Sequence, residues 1–173
     1  MLVTTYLEMR DPSQLRVAVA RLRNDAFAVC ELKELDWRFN REMYLKVGEQ
    51  WRWIDKRPWS DDEWQAYASD PGLRTFAGYA DDKLAGYYEL HRDEENAIEI
   101  AYFGLLPGFI GRGLGSALLT SAIENAWNWS PRPSRVWVHT CNRDHPQALA
   151  NYQARGLEIY KVEQEKIADV KSG

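Results

Sequence analysis

AIEIAYFGLLPGFIGRGLG, residues 97–115, is the stretch on which the fold turns. Residues 97–106 are rich in β-branched and aromatic side chains and predict a strand, which Pro107 and Gly108 end. Gly111, Gly113 and Gly115 follow at alternate positions. A helix is predicted from Gly113 to Trp129, with Leu114, Ala117, Leu118, Ser121, Ala122 and Trp127 largely on one face. Glycines let the backbone approach a ligand with no Cβ in the way. The helix start adds unpaired N–H groups and the positive end of the dipole. Strand, glycine turn and helix together make an anion site suited to a pyrophosphate, to which Arg112 can add a cation. The spacing is not that of a dinucleotide fingerprint, and the Gly-Lys-Ser/Thr of a Walker A loop is missing.

The neighbouring segments read outward from there. Ser130-Pro131-Arg132-Pro133 stops the helix, residues 135–140 predict a strand, 146–155 a helix ended by Gly156, and 157–163 a final strand. Upstream, residues 73–80 and 83–91 flank Asp81-Asp82 as a hairpin, and Asp93 to Asn96 form the turn before residue 97. Ser60 followed by Asp61, Asp62 and Glu63 is a helix start with a capping box. Residues 33–46 carry Leu35, Phe39, Met43 and Leu45 near helical spacing, with Gly48 as a stop. Residues 2–9 and 26–32 predict strands, residues 12–24 fit either a strand or a helix, and the polar tail 164–173 is expected to fray.

At 173 residues the chain fits one domain, 45% hydrophobic and 28% charged, with a net charge of −4. That charge argues against general nucleic-acid binding, which needs a basic face. Cys30 and Cys141 are expected to be reduced and buried, and without a His cluster they make no zinc site, so no metal is expected. No signal peptide and no membrane-spanning run is visible, so a cytoplasmic protein without membrane contact is expected.

Two stretches now carry a resemblance. IEIAYFGLLPGFIGRGLGSALL, residues 98–119, resembles motif A of the GNAT acyltransferase superfamily, and VWVHTCNRDHPQALANYQARGL, residues 136–157, resembles its motif B. The likeness covers roughly residues 73–163, in matching order and spacing. It implies an α/β fold: a mixed, mostly antiparallel sheet of six to seven strands, splayed at the centre, with helices on both faces. It implies one acyltransferase domain over 1–173, with acceptor-side elements in 1–72, the cofactor-binding and catalytic core in 73–163 and a tail in 164–173. The implied reaction is acetyl transfer from acetyl-CoA to a primary amine, with a small molecule as acceptor. Two other readings stand beside it: a protein or peptide amine as acceptor, and a non-catalytic acyl-CoA sensor. The resemblance also suggests a homodimer.

By position in the motifs, a bulge would splay the motif A strand, Phe103 N–H would face the thioester, Leu105 would pair with pantetheine, and Gly104 would let the strand kink. The diphosphate would meet the N–H groups of Ile110, Gly111, Arg112, Gly113, Leu114 and Gly115, with Ser116 as a cap. Ile110 stands where the motif usually has Gln or Arg. His145 stands where many members have Asn, so Asn142, His145 and Asn151 are cofactor candidates. Tyr152 matches the general acid, whose pKa near 10 suits protonating a departing thiolate. Glu99, breaking an apolar strand, is the base candidate, and Glu89 the second. Trp51, Trp53, Trp59 and Trp64 lie where such chains cover the acceptor, and aromatic rings there would wall a pocket or hold a cation. Asp55, Asp61 and Asp62 are close enough in sequence to attract a cationic amine.

Overall fold

A computed structural model describes residues 1–19 and 26–167. One sheet of seven strands runs through it: β1 (Leu2–Met9), β2 (Phe27–Glu31), β3 (Leu73–Ala80), β4 (Lys83–Arg92), β5 (Ala97–Leu105), β6 (Arg135–Cys141) and β7 (Glu158–Glu165). Their order is β2-β3-β4-β5-β6-β1-β7, and only β5 and β6 run parallel. Among the described residues four helices cover it: α1 (Trp37–Gly48), α2 (Asp61–Ala68), α3 (Leu114–Asn128) and α4 (Ala148–Ala154). This is the mixed, mostly antiparallel α/β sheet expected, at the upper strand number.

Alternation along the strands assigns the two faces. Tyr88 and Leu90 of β4, Ile98 and Ile100 of β5, and Val136 and Val138 of β6 are buried against α3, whose Leu118, Leu119, Ala122 and Ile123 are fully covered. Each such aliphatic side chain contributes about 2 kcal/mol of burial. Tyr87 of β4 points the other way and packs with Met43 and Val47 of α1. Helices therefore lie on both faces.

Local chemistry sets the boundaries. Ser60 accepts from Glu63 N while the Glu63 carboxylate accepts from Ser60 N, closing the capping box that starts α2. Asp81 and Asp82 both take positive φ, 49° and 62°, the geometry that lets a two-residue turn follow the twist of β3 and β4. Asp36 caps α1, so Leu35 falls outside the helix and is 68% exposed. Leu45 follows the buried Met43 by two residues, about half a helical turn, and is exposed as well. The inward face of α1 is Asn40, Met43, Tyr44 and Val47 instead of the one the spacing suggested.

Other expectations change here too. Cys30 is exposed on β2, whose residues alternate between part-covered and open; Cys141 is half-buried, and both are free. Pro12–Gln14 form one 3-10 turn; the rest of the ambiguous 12–24 stretch reaches into residues 20–25, outside the described residues. β7 continues through Glu165, two residues into the tail expected to fray, and residues 168–173 of that tail lie outside the described residues. No helix among the described residues is long and apolar enough to cross a membrane.

Candidate active site

The site begins where the sheet parts. β5 and β6 pair only through Ala97, Ile98 and Glu99 against Arg135, Val136 and Trp137. Opposite Glu89 and Leu90, the register on β5 skips from Tyr102 to Ile100, which leaves Ala101 as an extra, unpaired residue. A bulge of this kind bends the strand that carries it. Beyond it β5 keeps β4 as a partner and separates from β6. Gly104 has a different duty from the kink expected of it: a Cβ there would come within 2.4 Å of Val47 Cγ1. The glycine lets α1 lie directly on the sheet.

A cavity of about 1140 Å3 fills the parting. Phe103, Gly104 and Leu105 form one side of it, Tyr152 and Asn151 of α4 the other, and Gly111, Gly113, Gly115 and Ser116 its mouth. Gly111 and Gly113 have φ of 85° and 75°, left-handed conformations that favour glycine. Gly113 is the N-cap of α3 and supplies no side-chain cap, so the first-turn amides keep their donors for an anion. Ile110 does not join them, because its N–H already donates to Pro107 O at 3.4 Å. The cradle thus starts one residue later than expected. Asn151 Nδ2 donates to Gly115 O at 3.3 Å and ties α4 to it. This donor set fits a diphosphate, and among the described residues no cluster of His, Cys, Asp or Glu is arranged to hold a metal.

Tyr152 is 7% exposed, with its ring edge-on to Phe103 at 6.3 Å. Burial, with the Asp144 charge added, pushes its pKa well above the ordinary value, so the hydroxyl keeps its proton at neutral pH. Glu99 lies behind His139: its Oε1 is 3.5 Å from His139 Nε2, and His139 lines the cavity. Burial raises the Glu99 pKa, with His139 pulling in the other direction. A carboxylate backing an imidazole is an arrangement that can accept and hold a proton.

The remaining wall is aromatic. Trp53 packs on Tyr102 at 5.1 Å, and Trp51 meets His145 edge-on at 5.0 Å across the cavity. Asp55 lies beside them, accepting from Tyr44 at 2.6 Å and Tyr102 at 3.1 Å. Burial works against its charge, but the Tyr44 bond, Lys56 and the Tyr102 bond outweigh it and hold its pKa below the ordinary value.

Several expected site residues do not present their side chains to the cavity. Glu89 is 1% exposed and spends its oxygens on Asn40 and Tyr67, with burial raising its pKa. Trp59 stacks against Trp64 and Tyr67, with the Lys56 ammonium 4.2 Å from its centre. Arg112 turns to Asp81, 3.7 Å away. The Leu114 side chain enters a core cluster with Ala80 and Ala85. Asn142 accepts from Val3 N and donates to Met1 O, pinning β1. Conversely, Tyr6, Tyr102 and Arg155 line the cavity without having been singled out. Tyr102 escaped because the expected bulge was not placed at a particular residue; Tyr6 escaped because nothing local places β1 next to β6.

The fold and the cavity define an α/β protein whose cleft opens between two parallel strands that part in mid-sheet, with an anion cradle at its mouth. The chain belongs to the Acetyltransferase (GNAT) family, whose model matches residues 26–157. An uncharacterized N-acetyltransferase of Mycobacterium tuberculosis is 29% identical over 93 residues, 54% of this chain and 58% of the relative. An S-alkylcysteine N-acetyltransferase of Bacillus subtilis is 36% identical over 69 residues, 40% of this chain and 38% of the relative. The matched part is thus 58% of the first curated relative and 38% of the second. Among solved structures, a GCN5-related N-acetyltransferase from Sphaerobacter thermophilus superposes with TM-score 0.67 at 15% identity, over 93% of this chain and 49% of that one. An aminoglycoside acetyltransferase from an uncultured soil metagenomic sample does so with TM-score 0.60 at 12% identity, over 86% and 97%.

Proposed function

We propose that this chain transfers an acetyl group from acetyl-CoA directly to the primary amine of a small molecule. The observation that carries the reading is the cavity itself. One continuous space links the glycine cradle at the start of α3 to Tyr152, and then to His139 and Asp55. An anion site, a protonated acid, a proton acceptor and a carboxylate around one space support acyl transfer from a phosphorylated thioester.

Each group has a task. The amides of Gly111 to Ser116 hold the diphosphate. Phe103, Gly104 and Leu105, on the stretch of β5 parted from β6, face the pantetheine arm, which adds to the sheet as an extra strand would. Asp55 and the rings of Trp53 and Tyr102 draw in the acceptor as a cation. His139, backed by Glu99, takes a proton from that amine so that its lone pair can attack the acetyl carbon. As the carbon–sulfur bond breaks, Tyr152 gives its proton to the departing thiolate and recovers one from solvent. Because Cys141 has its pKa raised by burial, it is a poor thiolate at neutral pH, and direct transfer is favoured over an acyl-cysteine route.

An acceptor with an apolar body and a single amine suits these walls, and the S-alkylcysteine specificity named for the Bacillus subtilis relative is of that kind. Thiol release from acetyl-CoA, measured across arylalkylamines, S-alkylcysteines, aminoglycosides and lysine peptides, tests the proposal. Amine-dependent release with at least one small amine is expected. Release with peptides alone would move the acceptor to protein amines, and no release with any acceptor would leave only a binding role.

A further inference from the structure

Lys56 takes no part in the chemistry above, yet its ammonium stands directly behind the acceptor wall. Its Nζ lies 4.2 Å from the ring centre of Trp59, 5.0 Å from that of Tyr67 and 5.3 Å from that of Tyr102. It also donates to Asp55 Oδ2 at 3.4 Å. Only 13% of the side chain is exposed, whereas those of Lys46 and Lys161 are more than half exposed. A lysine so covered is uncommon. Aromatic faces and a carboxylate are what a cation needs in place of water.

The cage is fixed on every side. Lys56 N–H donates to Tyr44 Oη at 3.0 Å, and the Lys56 carbonyl accepts from Trp59 N at 3.2 Å. Trp59 packs edge-on against Trp64 and Tyr67, at 5.2 and 5.5 Å. Tyr67 donates to Glu89, and Tyr102 donates to Asp55 at 3.1 Å. Asp55 and Tyr102 belong to the cage and also line the cavity. Cage and acceptor space therefore share a wall, with a built-in cation on its far side. Burial raises the pKa of Glu89 and of Glu99, and the Lys56 charge works against that rise in both, so its field reaches across the acceptor side of the molecule.

An incoming amine brings one positive charge, which Asp55 and the Tyr102 ring can meet. A second ammonium on the same molecule would find the cage already held by Lys56, and like charges a few ångström apart repel. We propose that Lys56 is a specificity-determining residue: its caged ammonium turns away acceptors that carry a second cation and restricts the site to monoamines. This rests on the proposed transfer to a small amine. Discrimination of this kind comes from repelling the wrong partner, over and above holding the right one.

Thiol release from acetyl-CoA with paired acceptors, hexylamine against hexamethylenediamine and benzylamine against p-xylylenediamine, tests it on the wild type, Lys56→Met, Lys56→Gln and Lys56→Arg. Aminohexanol serves as the polar but uncharged counterpart of the aliphatic diamine. In kcat/KM the wild type should prefer each monoamine to its diamine by roughly ten-fold or more, well within the repulsion of two charges so placed. It should use aminohexanol much as it uses hexylamine. Lys56→Met and Lys56→Gln leave the cage without its cation and should erase or reverse the preference, while Lys56→Arg should keep it. Equal use of monoamine and diamine by the wild type, rejection of aminohexanol as strong as that of the diamine, or a preference unchanged in the two uncharged variants would each overturn the assignment. If the wild type releases thiol with none of these amines, the small-amine reading falls and this inference with it.

Discussion

Tyr152 holds its proton at neutral pH because it is buried beside Phe103 with the Asp144 charge nearby. An acid that must meet a departing thiolate needs that proton, so Tyr152→Phe should lower kcat by about a hundred-fold or more. The ring stays, so acetyl-CoA affinity by calorimetry should hardly move. Equal loss of both would make the ring's packing its role. Glu99 behaves in the opposite sense. Its raised pKa puts the acidic limb of kcat/KM above the ordinary carboxylate range, and Glu99→Gln should remove or displace that limb. The sign for stability follows from linkage. A carboxyl whose folded pKa exceeds its unfolded pKa is better tolerated when neutral, so it costs stability as pH rises from the unfolded value through the folded one. Glu99→Gln should therefore lose activity at neutral pH without losing Tm; a clear fall in Tm there would show that the Glu99 charge stabilises the fold. At this scale the sequence was informative about Tyr152 and Glu99, whose motif neighbours carry their positions. It was not about Glu89, because only the packing of α1 and α2 decides that Asn40 and Tyr67 occupy both its oxygens.

At the scale of elements, the parting of β5 from β6 follows the extra residue Ala101, and the bare backbone at Gly104 lets α1 lie directly on the parted strand. Gly104→Ala would push a methyl group to 2.4 Å from Val47 Cγ1, closer than atoms approach, and α1 would have to shift. A cost of about 1–3 kcal/mol is expected for overpacking of this kind. Denaturant unfolding measures it, and Val47→Ala in the same chain should recover part of the loss; a Gly104→Ala chain as stable as the wild type would contradict the close approach. The hairpin at Asp81-Asp82, the capping box at Ser60 and the glycine turn into α3 were all legible, because each is written in a few adjacent residues. The inward face of α1 was misread at Leu35, which lies before the Asp36 cap, and at Leu45, which lies about half a helical turn from the buried Met43.

For the whole molecule, order along the chain and order in the sheet differ most at β1. It lies between β6 and β7, and by doing so brings Tyr6 to the cavity and lets Asn142 hold Val3 and Met1. Nothing in residues 2–9 specifies that partner, because the pairing is made with residues some 135 positions away in sequence. The cofactor half of the site depends mainly on backbone and glycines, and was the more readable for it. The acceptor half is assembled from β1, β5, β6 and the loop after α1, and emerges only when the sheet is complete. In the function proposed above, the space between β5 and β6 holds acetyl-CoA. Calorimetric titration of acetyl-CoA into the wild-type protein measures that directly. Saturable binding of one molecule per chain in the micromolar range is the predicted result, and no heat of binding at millimolar cofactor would contradict it.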